Sequence, residues 1–271
     1  VYSVVIPSTD PDLAHKTAIY THRLGGTTLN HGIFTRKPED VVTYIDHLRQ
    51  HTPDSRVRLK HPHASDGEGQ AVFALDDKDA ILEGCKDLEF AGTVIMPQLE
   101  YIHDRYTIGV INLGRYGTYR YIGREKTTDL NNREVYGGCT IGVVHSRIPL
   151  DIAARTLDIP SATIDTGFRA IEEYSALVED AGRVSVDIID GDAGPHLPHR
   201  YVADLTPRVG GTTSAETLAI RALQSEPTGT CFVESNLLYN PQHRPSTGLV
   251  FIDAPDLLGH AHITQLEGSR I

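Results

Sequence analysis

Apolar residues along this chain change their period several times, and each change marks an element. Over residues 38–50, Val41, Ile45 and Leu48 recur at helical spacing; Pro38 suits a first turn, and Glu39 and Asp40 suit the positive end of the helix dipole. Residues 56–59 read as a strand ending at Lys60, a polar Gly-containing stretch fills 61–70, and residues 71–75 read as the returning strand. Ahead of these, a strand-like run over 2–6 leads into a helix predicted over 11–24, which carries His15 and Lys16 and is closed by Gly25-Gly26. Asp76 or Asp77 is placed to cap a helix through Cys85.

A second unit is expected from Thr93. It begins with a short buried strand over 93–96, a meander over 106–113 and 118–122, and a strand over 140–145. A long amphipathic helix follows over 162–179, with Ile164, Phe168, Ile171 and Val178 on one face. Thr213-Ser214-Ala215-Glu216 fits a capping box that opens a helix through Leu223. Late strands over 230–234 and 248–252 flank an open loop over 236–247. This order suits an α+β fold better than a doubly wound parallel sheet, with units over 1–92 and 93–271.

The chemistry concentrates late in the chain. Residues 183–189 and 202–209 are rich in β-branched side chains and read as adjacent strands joined by the Gly/Pro/His-rich turn at 191–199. Side chains alternate along a strand, so Asp204 and Thr206 share one face. With Asp187 on the same face, two carboxylates and a hydroxyl converge beside Arg208. Hard oxygen ligands for a cation and a guanidinium for phosphate oxygens make this a candidate magnesium–phosphate site.

Composition narrows the partners. A net charge of −11 over 271 residues disfavours duplex binding, which needs a basic footprint, but leaves room for a small anion in a locally basic cleft. No apolar run approaches the roughly 20 residues of a membrane span. The three cysteines, Cys85, Cys139 and Cys231, lack CxxC spacing and read as reduced thiols, which favours a cytoplasmic setting. His61-Pro62-His63, His196 with His199, and His260-Ala261-His262 have neither HExxH spacing nor a Cys partner, so zinc is not expected. GxGxxG, the Walker-type GxxxxGK[ST] and GxSxG are all absent. The chain starts at Val1 without Met, and a segment upstream of it is expected.

Taken together, these segments resemble the ATP-grasp superfamily, the fold of biotin carboxylase and the D-alanine ligases, over residues 14–223. His15-Lys16-Thr17-Ala18 looks like the family segment whose Lys reaches the nucleotide phosphates. Arg58-Leu59-Lys60 followed by Ala64-Ser65-Asp66-Gly67-Glu68-Gly69-Gln70 resembles the strand Lys and the glycine-rich loop that closes over the triphosphate. Gly67 and Gly69 would let backbone N–H groups approach phosphate, and Lys60 would supply a point charge; Asp66-Gly67 also fits a tight hairpin turn. Thr93 to Glu100 looks like the hinge that reads adenine, which makes Met96, Gln98 and Leu99 nucleotide-binding candidates. Asp187, Asp204 and Arg208 fall where the family places two metal-binding carboxylates and a phosphate-contacting Arg.

The chain departs from the family pattern in places. Asp204-Leu205-Thr206 stands where the family usually has Glu-x-Asn, so one of two magnesium ions would be held less tightly. Pro97 stands where many members carry an acidic residue, and only a short lead-in precedes Lys16. Val209-Gly210-Gly211-Thr212-Thr213, with the stretch from Arg133 to Thr140, is similar to a less characterised bacterial branch with peptide-ligase-like members. Gly210 and Gly211 would make room for substrate there. Arg115, Arg120 and Arg124 are candidates to hold an acidic substrate, and Arg120 is the one assigned to it.

The resemblance implies two α+β subdomains that clasp ATP and Mg2+ between antiparallel sheets. It implies an ATP-dependent ligase that joins a small-molecule carboxylate to an amine or another nucleophile through an acyl phosphate. Lys16 and Lys60 would offset phosphate charge, and Arg208 would stabilise the transferred group. A small-molecule kinase on the same fold and a nucleotide-binding regulator without turnover are the alternatives. Relatives are often dimers, which leaves a homodimer open while the sequence itself does not fix the oligomeric state; no nucleic-acid or membrane partner is expected.

Overall fold

The computed structural model describes residues 13, 16–53, 55–62, 69–85, 91–131, 133–178, 181–239, 241, 245 and 247–268. The strand expected over 2–6 and the start of the helix expected over 11–24 lie outside them, as do Asp66 and Gly67.

Two antiparallel sheets carry the described chain. The smaller has four strands, β1 (Ile33–Thr35), β2 (Arg56–Lys60), β3 (Gln70–Ala74) and β4 (Thr93–Pro97), in the order β1-β4-β2-β3. The larger has eight: β5 (Tyr101–Asn112), β6 (Thr118–Leu130), β7 (Arg133–His145), β8 (Arg183–Asp192), β9 (Arg200–Thr206), β10 (Thr230–Tyr239), β11 (Leu249–Asp253) and β12 (Leu257–Glu267). Its order is β11-β12-β10-β7-β6-β5-β8-β9. Helices α1 (Thr17–Thr21), α2 (Pro38–His51), α3 (Lys78–Gly84), α4 (Asp151–Thr156), α5 (Ser161–Ser175) and α6 (Thr213–Leu223) complete the order.

Each helix buries the stripe that its sequence provides. Val41, Tyr44, Ile45 and Leu48 of α2 pack with Val57 and Leu59 of β2 and with Ile95 and Met96 of β4 into the core of the smaller sheet. On the larger sheet, α5 covers one face through Ala170, Ile171 and Tyr174 against Tyr106, Ile108, Val184 and Val186. α6 covers part of the other through Ala215, Ala219, Ile220 and Leu223 against Tyr121, Ile141 and Val233. The rest of that second face, over β9, β8, β5 and β6, remains open toward the smaller sheet, and the site lies there.

Several elements differ from the sequence expectation for physical reasons. β4 hydrogen-bonds to β1 and β2, so it closes the smaller sheet, and the larger sheet begins at Tyr101 rather than at Thr93. α1 is a single short helix; Arg23 and Gly25 adopt left-handed conformations that end it. β6 and β7 pair along their whole length, so the expected short strands are the buried halves of a long hairpin whose outer half is polar. β12 was not expected, because exposed Ile263 to Leu266 and the histidines at 260 and 262 mask its alternation. The capping box at Thr213 does not form: Thr212 is the N-cap without a side-chain bond to the first-turn N–H groups, and the Glu216 carboxylate is committed elsewhere. Among the described residues, no helix is long and apolar enough to cross a membrane.

Candidate active site

β8 and β9 place the two aspartates opposite each other. Asp187 pairs with Asp204 and Ser185 with Thr206, so both carboxylates and the Thr206 side chain share the open face. The register then shifts: Ile188 pairs with Val202, and Ala203 is left as a bulge. The Ala203 carbonyl, freed from the ladder, accepts a hydrogen bond from Lys60 Nζ at 3.4 Å. Lys16 Nζ approaches Asp204 Oδ2 at 4.0 Å. The last residue of a smaller-sheet strand, the residue before α1 and a larger-sheet bulge therefore meet at one point.

They line a cleft of about 770 Å³ between the sheets. Lys16, Arg58, Lys60, Gln70, Met96, Pro97 and Leu99 form one wall, and Arg105, Glu125, Glu134, Tyr136, Asp187, Asp204, Thr206, Arg208, Gly210 and Gly211 form the other. The charges are unevenly held. Burial, helped by Lys16, Arg58 and Arg105, lowers the Lys60 pKa to about 8 against the opposing pull of Asp204. Burial and the Asp204 charge push Asp187 well above the usual carboxylate range. Burial and Asp187 do the same to Glu125, whose carboxyl lies within hydrogen-bonding reach of Asp187.

Most expected residues come together. Lys16, Lys60, Asp187, Asp204, Thr206, Arg208, Gly210 and Gly211 all line the cleft, as do Met96, Leu99 and Gln70. Gln70 works indirectly: its Oε1 accepts from Arg58 Nη1 at 2.6 Å. Gln98 does not face the cleft; its Oε1 accepts from Arg58 Nε at 2.8 Å, and its backbone N–H is taken by Arg56 O at 2.8 Å. Gly69 holds a left-handed φ of 62° at the end of the loop before β3, a conformation that favours glycine. Gly211 lacks a Cβ that would stand 2.8 Å from the Tyr136 ring, so the 210–212 turn can close over that ring.

Arg120 is a correction. It faces the α5 side of the sheet, where Nη2 donates to Ile148 O at 3.0 Å and the guanidinium lies 5.7 Å from the Phe168 ring. Arg124 shares that side and is held by Asp104 and by the carbonyls of Leu157 and Asp158. Four positions apart on one strand, both point away from the cleft.

Other groups in the cleft were not expected. Arg183 is 8% exposed and lies under the 206–212 segment. It donates to Glu216 at 2.7 and 2.9 Å, to Thr212 Oγ1 at 2.7 Å, and to the carbonyls of Thr206 and Arg208 at 3.0 and 2.5 Å. Glu216, wholly buried, also accepts from Thr212 Oγ1 at 2.5 Å. Arg105 pairs with Glu134 at 2.7 Å. Arg183 starts a strand and Glu216 imitates a capping residue, so neither announces its role; Glu125 could have been found by extending the β6 alternation outward from Tyr121.

Two antiparallel sheets facing each other across a cleft give this chain the α+β architecture of the ATP-grasp fold. The N5-carboxyaminoimidazole synthetase of Staphylococcus aureus superposes with a TM-score of 0.51 at 14% identity, covering 89% of this chain and 64% of that one. The same enzyme complexed with ADP superposes with a TM-score of 0.50 at 13% identity over the same shares. This chain thus spans 64% of the length of that synthetase. It belongs to a protein family of unknown function, DUF3182, whose model matches residues 29–259. No curated protein matches the sequence.

Proposed function

We propose that this chain is an ATP-dependent ligase that activates a carboxylate as an acyl phosphate and passes the acyl group to an amine or another nucleophile. The observation that carries the reading is the register pairing of Asp187 with Asp204, facing Lys16 and Lys60 across the cleft. Carboxylate oxygens from adjacent strands are the donor set a hard divalent cation takes. Asp187 and Asp204 would hold Mg2+, which supplies charge neutralisation at the β- and γ-phosphates. The like-charge crowding that raises the Asp187 pKa is what such a cation would relieve.

Met96 and Leu99, both buried, offer an apolar seat for a planar base. Lys16 and Lys60 offset phosphate charge from the opposite wall. A substrate carboxylate oxygen attacks the γ-phosphorus, the bond to the β-γ bridging oxygen breaks, and ADP leaves. The nucleophile then adds to the acyl carbon and phosphate departs. Arg208, on the exposed rim, is free to follow the transferred phosphoryl group and stabilise its charge. Positioning and electrostatics supply the catalysis, and no covalent protein nucleophile is needed.

Calorimetry of Mg·ATP binding tests the reading, on wild type and Asp204→Ala, each with and without chelator. Magnesium-dependent binding that the substitution weakens at least roughly tenfold supports it. Absence of Mg·ATP binding to the folded wild-type protein would refute it, as would full ATP-dependent turnover by Asp204→Ala.

A further inference from the structure

The stretch from Arg133 to Thr140 opens β7, and there β6 and β7 outrun their neighbours. β5 pairs with β6 only as far as Arg124, and β10 pairs with β7 only from Gly138 onward. Among the described residues, Thr127 to Leu130 and Arg133 to Tyr136 pair with each other and with no third strand. The arm leaves the sheet through a bulge: Lys126 pairs with Gly138 and Thr127 with Tyr136, so Gly137 is the extra residue. Gly138 has a φ of 126°, and a Cβ there would overlap the Ser235 carbonyl, so glycine is what lets β7 bend this close to β10.

Thr127, Glu134 and Tyr136 share one face of the arm, and all three line the cleft. The foot of the arm is fixed: Tyr239 Oη donates to Tyr136 O at 3.1 Å, and the Tyr136 ring packs against Gly211. Farther out, the tie to the floor of the cleft is electrostatic. Arg105 Nη2 donates to Glu134 Oε2 at 2.7 Å, while Thr127 Oγ1 steadies Oε1 at 2.7 Å. The opposite wall contributes as well. Burial works against the charge, yet Thr127, Arg105 and Arg58 hold the Glu134 carboxyl below its ordinary range. Arg58, whose donors go to the neutral amides of Gln98 and Gln70, stands on the smaller sheet in register with Met96. Glu134 therefore reaches across the cleft at the end where Met96 and Leu99 form the apolar seat.

The attachment is weak. The Glu134 and Arg105 side chains are 56% and 21% exposed, and a pair so open to water shifts an equilibrium by no more than about fivefold. A two-stranded ribbon without further pairing is itself only marginally stable. A fixed wall would be pinned by buried contacts, whereas a part that opens needs a latch of this strength. We propose that the outer half of the β6–β7 hairpin is a flap over the base end of the nucleotide cleft, with Glu134 on Arg105 as its latch, so that nucleotide leaves when the latch opens. This rests on the ligase reading and adds control of access to the same site. The flap comes from the larger sheet, whereas the glycine-containing stretch expected over the triphosphate joins β2 and β3 of the smaller one.

The test follows release of a fluorescent ADP analogue with Mg2+ from the full chain by stopped flow, together with amide exchange over residues 126–136. Mg·ADP should slow exchange in the arm of the wild type. Glu134→Gln should speed release roughly two- to fivefold, the change an exposed ion pair can supply, and remove most of that protection. Thr127→Val, which loses the hydroxyl that steadies Glu134, should give a smaller rise in the same direction. Higher ionic strength should speed release more from the wild type than from Glu134→Gln, because it screens the latch. Arm exchange indifferent to Mg·ADP, or one release rate for the wild type and both variants, overturns the flap and makes the arm a fixed wall. Failure of Mg·ADP to bind the folded protein refutes the ligase reading and the flap with it; binding without these responses overturns the flap alone.

Discussion

Glu216→Gln probes the buried pair beneath the cleft. In the wild type, the guanidinium of Arg183 spends all its donors: Nε and Nη2 on Glu216, Nη2 also on Thr212, and Nη1 on the carbonyls of Thr206 and Arg208. The partners are 8% and 0% exposed, so solvent screens little of the interaction. Replacing the carboxylate with an amide retains one acceptor for Nη2, turns an N–H toward Nε–H, and leaves the guanidinium charge buried without its partner. Removing one member of a buried pair typically costs about 3–5 kcal/mol. For a chain of this size that is a drop of roughly 6–20 °C in the unfolding midpoint.

Urea unfolding and thermal scans of both proteins read the effect, and Arg183→Met/Glu216→Leu supplies the control. With no charge left to strand, the double variant should recover most of the stability. It should still lose ligand affinity, because the carbonyls of Thr206 and Arg208 would no longer be tied down beside Asp204. A Glu216→Gln protein within about 1 kcal/mol of wild type would refute the account, since a surface-like pair is worth no more than that.

Two further expectations follow from the site. Lys60 titrates at about 8, below its ordinary value of 10.5, because burial disfavours its charge. Between those two pH values the unfolded chain holds the proton that the folded chain has lost, so the Lys60 contribution to stability rises with pH across that window; Lys60→Met should flatten this part of the profile. A bound triphosphate favours the charged amine, so nucleotide binding at pH 8 should take up protons, measurable by calorimetry in buffers of different ionisation heat, and the uptake should vanish in Lys60→Met. Arg120→Ala should cost roughly 1 kcal/mol in stability, through its lost packing on Phe168 and its bond to Ile148, and leave nucleotide affinity unchanged; a large loss of affinity would return Arg120 to the site.

What the sequence made legible was local. Helix α2 matches the expected span because its N-terminal proline, dipole and stripe all agree, and β2 and β3 were marked by apolar runs around a polar connection. The facing of Asp204 and Thr206 followed from the two-residue period alone. What stayed hidden depends on which strands become neighbours. β4 reads as the opening of a new unit because no local signal tells a strand which sheet it will join. Arg120 read as a site candidate because the side of β6 that meets α5 is decided by packing against Phe168 and Tyr106, which the strand's own sequence does not reveal. Glu216 satisfied a capping pattern, yet a buried guanidinium is a stronger demand on a carboxylate than an exposed backbone N–H.

The bulge at Ala203 bears on how Asp204 would serve the proposed cation. Asp204 is one methylene shorter than the Glu that the ATP-grasp resemblance leads one to expect there. In a regular ladder Ala203 would pair with Ile188, and its carbonyl would be spent on β8. The register shift frees that carbonyl and increases the local twist of β9. Lys60, from the other sheet, takes the carbonyl at 3.4 Å, and Lys16 comes to 4.0 Å from the Asp204 carboxylate. The two lysines thus bring the walls of the cleft together at the residue with the shorter reach. Asp204 Oδ1 meanwhile accepts from the Leu205 N–H at 2.9 Å, which fixes the carboxylate close to its own backbone. The Asp204 carboxylate thus bonds back to its own backbone, while Lys16 and Lys60 reach β9 from the opposite wall beside it.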